Sequence, residues 1–113
     1  MPATNRDGII GTISRAGLAD SPTTIDAVNG ETWTNDGTQW IEIIKGSGTA
    51  VTASVPYLNT YDGQTIPPKT NAVSANSREA WGPFPTEKFG TTPVISWSGD
   101  TTNVTFNIRK LGS

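Results

Sequence analysis

Histidine and cysteine carry most nucleophilic, metal-binding and neutral-pH proton chemistry, and this chain has neither. That removes zinc sites of the usual kind, thiol nucleophiles and any triad built on an imidazole. Carboxylates remain. Glycoside hydrolysis needs two of them flanking a sugar bond, and Glu42 and Glu79 are the candidates because both fall in predicted strands. The plainer reading is preferred, with Glu42 pointing to solvent and Glu79 sitting at a strand end. A chain of 113 residues leaves little room for a substrate cleft beside its core.

Asp36 and Asp62 each precede a glycine. That places them in turns, and no D-x-D-x-D-G spacing argues for calcium. The GSGT run at 46–49 lacks the spacing of a phosphate-binding loop and reads as a turn between strands. No metal or other cofactor is expected, and no enzyme. The aromatics carry more weight. Trp33, Trp40, Trp81 and Trp97, with Phe84, Phe89 and Phe106, form either a core or a stacking face for sugar rings. Core is favoured, since little else in the chain supplies bulk. Asn103-Val104-Thr105 matches a glycosylation sequon but reads as a strand entry.

The elements that must position these residues centre on 29–55. QWIEIIK at 39–45 is dense in β-branched and aromatic residues and predicts a central strand. Gly46-Ser47-Gly48 makes a turn, and 49–55 alternates with Val51, Ala53 and Val55 on one face, which predicts a hairpin. A second hairpin is expected from 94–98 and 104–109, with Ile95 and Trp97 on one face of the first strand. Val104, Phe106 and Ile108 share a face of the second.

Between the hairpins the signals are weaker. Pro56 stops a strand, Asp62-Gly63 signals a turn, 71–75 is a weak strand around Val73, and 78–84 holds a strand that ends at Gly82-Pro83. PTEKFG at 85–90 allows one helical turn opened by proline. Upstream, 9–15 predicts a first strand weakened by Gly11, and 16–29 a long surface loop.

Low apolar content (34%) with 12 Gly and 8 Pro fits a loop-rich all-β domain, and four Trp argue against disorder. The expected fold is a small antiparallel β-sandwich or barrel, jelly-roll or Ig-like. Residues 1–28 form an extended N-terminal arm, and 29–113 the sandwich domain. A net charge of −2 with scattered basic residues argues against nucleic acid. No apolar run is long enough for a membrane helix, and MPATNRDG lacks the apolar region of a secretory signal.

One ordered combination adds to this. NG-x-x-W-x-NDG-x-x-W-I-E-I at 29–43 is followed by an alternating strand, WGPFP at 81–85, VISWS, and a final VTFNI strand. Across 29–111 this resembles a group of small tailed-phage virion proteins of the head decoration (cement) type. The resemblance implies binding to the assembled major capsid protein lattice, location on the virion surface after synthesis in the host cytoplasm, and self-association as a dimer or trimer. The implied contact residues are Ile9, Ile10, Ile13 and Leu18 in the arm, and Trp81, Pro83, Phe84 and Phe89 in an anchor loop. A C-terminal strand at a sheet edge is a further expected contact. A tail or head–tail connector component and a carbohydrate-binding or adhesin module are the alternatives.

Overall fold

A computed structural model describes residues 3–13, 22–58, 60–61, 64–65 and 67–111. The strands in chain order are β1 (Thr4–Asn5), β2 (Ile10–Ile13), β3 (Thr23–Thr24), β4 (Glu31–Thr32), β5 (Trp40–Lys45), β6 (Val51–Val55), β7 (Thr60–Tyr61), β8 (Gln64–Thr65), β9 (Lys69–Val73), β10 (Ser77–Trp81), β11 (Val94–Gly99) and β12 (Val104–Leu111). A 3-10 turn, Asp7–Ile9, precedes β2, and one helical turn, α1 (Thr86–Phe89), follows β10. A front sheet in the order β1-β4-β11-β6-β9 packs on a back sheet in the order β10-β5-β12-β2, with β3 also beside β12. The result is an all-β sandwich, and not a closed barrel.

The alternation read in the sequence sets which side chains enter the core. Ile41 and Ile43 of β5, Val51, Ala53 and Val55 of β6, Ile95 and Trp97 of β11, and Val104, Phe106 and Ile108 of β12 are all buried between the sheets. What the alternation did not set is pairing, and both predicted hairpins are wrong. β5 pairs with β10 and β12, whereas β6 pairs with β11 and β9. β11 likewise sits in the front sheet beside β4 and β6, while β12 lies in the back sheet. Each predicted turn is instead a corner that carries the chain from one sheet to the other. A strand with one apolar face satisfies that face equally well beside its neighbour or opposite it.

The two corners fasten each other. Lys45 follows Ile41 and Ile43 onto the inward face of β5, and its ammonium is buried. There it donates to the carbonyls of Ser47 (2.9 Å) and Thr102 (2.8 Å), and pairs with Asp100 at 3.3 Å. Backbone bonds join the corners as well, from Gly46 N to Asn103 O (2.8 Å) and from Asp100 N to Ala50 O (3.1 Å). Asp100 also accepts from Thr49 N at 2.9 Å.

The described residues of the N-terminal stretch lie docked along one side of the sandwich. β1 runs parallel to β4, and β2 parallel to β12, so the sheets are mixed rather than purely antiparallel. β3 pairs antiparallel with β12 inside the stretch read as a loop. These additions also place β12 between β5 and β2, so the C-terminal strand is interior and not an edge. β7 and β8 pair across the expected Asp62-Gly63 turn, which itself lies outside the described residues.

Replacing Lys45 with methionine keeps the bulk but leaves two corner carbonyls without their donor. Lys45→Met is expected to cost about 2–4 kcal/mol of unfolding free energy in urea titration, with little change in the slope.

Candidate contact surface

The loop expected to anchor a partner turns inward. Trp81, Phe84 and Phe89 are buried, and only Pro83 of the named loop residues is exposed. Phe84 meets Trp33, Trp81 and Phe89 edge-on, with ring centroids 5.6, 5.0 and 5.3 Å apart. Tyr57 stacks on Phe89 at 4.8 Å. These rings form an aromatic plug, because burying their large area against one another outweighs exposing it. Asn35, from the NDG turn, holds the loop in place by donating to Phe84 O (2.7 Å) and Gly90 O (3.0 Å). Trp81, Phe84 and Phe89 are therefore core residues rather than contact anchors.

Of the N-terminal candidates, Ile9 and Ile10 pack against the core and Ile13 is half-buried. Leu18 lies outside the described residues. Among the tryptophans, Trp33, Trp81 and Trp97 are buried and Trp40 is half-buried. A row of coplanar exposed rings, which the sugar-binding alternative requires, is not present among them.

The carboxylate pair is also separated. In the β5–β10 register Glu42 lies opposite Ala80 and Glu79 opposite the buried Ile43, so the two acids occupy opposite faces of the back sheet. They cannot flank one bond. Glu42 is not a free surface charge either. It accepts from Arg109 (2.8 Å), Arg78 (2.9 Å) and Trp40 Nε1 (3.2 Å). Burial pushes its carboxyl up, but these donors together outweigh burial and hold it below its usual value. Asp36 is a turn residue, as expected: its carboxylate caps the backbone and hydroxyl of Thr38, which lower its pKa. No group of three or more acidic side chains arranged to hold a metal occurs among the described residues.

Among the described residues, the large apolar side chains that stand exposed are Val28, at 90%, and Leu58, at 62%. Both stand on backbone held by hydrogen bonds. Val28 projects from 26–29, where Asp26 Oδ1 accepts from Val28 N (3.2 Å) and Asn29 N (3.0 Å). Thr4 of β1 donates to the other oxygen of Asp26 at 2.6 Å, tying the turn to the N-terminal strand. The next residue is constrained as well. Gly30 has φ +81, and a Cβ there would collide with the Ile95 carbonyl, so only glycine lets the chain drop from this turn into β4. Leu58 is held by its own N–H on Lys88 O (2.7 Å), and its side chain lies over Gly90.

Behind the Val28 turn sits a buried acid that sequence reasoning missed. Glu31 has no solvent exposure and pairs with Arg6 at 2.9 Å. It also accepts from Asp26 N (2.8 Å) and from Trp97 Nε1. Arg6 in turn donates to Thr24 O (3.2 Å) and lies over the Phe106 ring at 5.4 Å. One ion pair thus joins β4, β11, the N-terminal strand and the Val28 turn. Nothing in the local run N-G-E-T marks that acid as buried, because its partner lies 25 residues earlier.

Arg6→Met leaves Glu31 buried without its counter-charge, and should cost about 3–5 kcal/mol of stability. Adding Glu31→Gln to Arg6→Met should recover part of that loss, a coupling read by a double-mutant cycle. Acid should act on the Val28 turn. Thr4 and the N–H of Asn29 lower the Asp26 carboxyl from 3.8 to about 2. A depressed pKa contributes its stabilisation in full above the ordinary value and loses it as pH falls toward about 2. Asp26→Asn should therefore flatten part of the stability loss between those two pH values in acid-unfolding curves.

No family model matches this chain, and no curated protein or solved structure shows significant similarity to it.

Proposed function

We propose that the chain is a decoration protein of a tailed-phage head, which lies on the assembled major capsid protein lattice and stabilises it. The phage assignment is supported by the ordered motif combination across 29–111. The contact role is supported by one structural observation: among the described residues the exposed large apolar side chains, Val28 and Leu58, are displayed on backbone that hydrogen bonds tie down, Val28 on the Asp26 turn and Leu58 by its N–H on Lys88. A cement protein needs no chemistry. It adds contact area across neighbouring subunits, and apolar side chains at the centres of contact supply most of the binding energy.

The shape suits that task. The molecule is a slab with extents of 45 × 38 × 24 Å, broad enough to span a junction and thin enough to lie on a shell. Rigid display also matters, since groups already ordered before binding lose less entropy on contact. In this reading the contact residues move from the aromatic loop to Val28 and Leu58, with Pro83 and Ile13 at the margin.

Purified protein mixed with expanded, undecorated heads should co-sediment saturably at micromolar concentration, and should ignore unassembled capsid protein. Val28→Asp and Leu58→Asp should each weaken binding by about tenfold or more while leaving the fold intact by circular dichroism. Failure of the unaltered protein to bind such heads would end this reading.

A further inference from the structure

We propose that β9 is a self-association seam: two copies of this chain pair antiparallel through Lys69–Val73 and join their front sheets across a two-fold axis. The inference is independent of the particle the chain decorates.

The two sides of the sandwich are treated differently. On one side the chain covers its own edges, with β1 laid on β4 and with β2 and β3 laid on β12. On the other side β9 pairs with β6 alone among the described residues. Its register runs unbroken from Lys69 opposite Val55 to Val73 opposite Val51, with no bulge and no internal proline. Its one charge stands at its first residue, and Thr70, Asn71, Ala72 and Val73 follow. An open edge of this kind is a template for another strand, and natural proteins blunt such edges with charge, proline or bulges. Neighbouring β10 is blunted, with Arg78 and Glu79 within it. β9 is not.

The strand is also complementary to itself. With the two-fold at Asn71, Thr70 faces the partner's Ala72 and Lys69 faces the partner's Val73, so no like charges oppose. Thr70 and Ala72 are both exposed and small, which lets the backbones approach. Asn71 would face the partner's Asn71, and directly opposed Cβ atoms in such a pair lie about 4.5–5.5 Å apart. In the single chain the Asn71 amide nitrogen is buried without an acceptor. Turned toward the seam, each Asn71 amide finds its acceptor in the carbonyl of the other. A foreign strand offers no such reciprocal match, so the occupant is a second copy.

Sedimentation velocity on the full chain from about 1 to about 500 μM tests the seam. The unaltered protein should shift from monomer to dimer across that range. Thr70→Lys with Ala72→Lys sets lysines against each other across the axis and should give monomer throughout. Thr70→Lys with Ala72→Glu sets lysine against glutamate and should restore the dimer. Both pairs lie on the exposed face of β9, and circular dichroism and thermal melting check that each variant folds. Amide exchange at 69–73 in the unaltered protein should slow with concentration, while exchange in β6 stays constant. An unaltered protein that remains monomeric at the top concentration would overturn the proposal. So would equal dimerisation of both variants, or failure of the lysine–glutamate pair to recover the dimer.

Discussion

The buried ammonium of Lys45 sits where the architecture is most demanding. The inward faces of β5, β6, β11 and β12 cover one another here because the chain crosses between sheets after β5 and again after β11. Each crossing bends the backbone and leaves carbonyls that no ladder serves, at the end of the core where the Lys45 side chain is buried. Lys45 supplies donors to both corners at once, and Asp100 balances its charge. The Asp100 carboxyl, held far below its ordinary pKa by Thr102 and the N–H of Thr49, stays ionised in that role. A buried charge is tolerable only when paired and fully hydrogen-bonded, and this one meets both conditions.

A second ion pair does for the flank what Lys45 does for the corners. Arg6 and Glu31 bind the N-terminal strand to β4 and, through Trp97 and Asp26, to the core and the Val28 turn. Stretches of low apolar content are ordered here by charge-assisted bonds rather than by burial. This explains how a chain with few apolar residues outside its strands still holds its loops in set positions. It also links the two features that matter for contact: a stiff slab, and apolar side chains displayed on tethered backbone.

The aromatic plug shows the limit of reading function from residue type. WGPFP was expected to be an anchor because the resemblance implies apolar groups at the centres of contact. In place, Trp81, Phe84 and Phe89 close one end of the core against Trp33 and Tyr57. In a chain this poor in large apolar residues, the sandwich has first claim on its rings. The same logic leaves Trp40 as the one tryptophan that is half-buried rather than buried.

The class of fold, the strands from β5 onward that carry regular alternation, the face each presents to the core, and the turn roles of Asp36 and Gly48 were legible in the residues themselves. All depend on local preferences or on a two-residue period, which the chain carries wherever it goes. Pairing was not legible, so two hairpins became two corners. The charged partners of Glu31, Glu42 and Lys45 were hidden as well, because Arg6, Arg78, Arg109 and Asp100 each lie 25 or more residues away in sequence. The side-chain period tells a strand which way to face and is silent about which strand stands beside it. Only the tertiary structure, by bringing distant charges and carbonyls together out of water, decided that Glu31 and Lys45 are buried, that the WGPFP rings are core, and that Val28 and Leu58 are left outside.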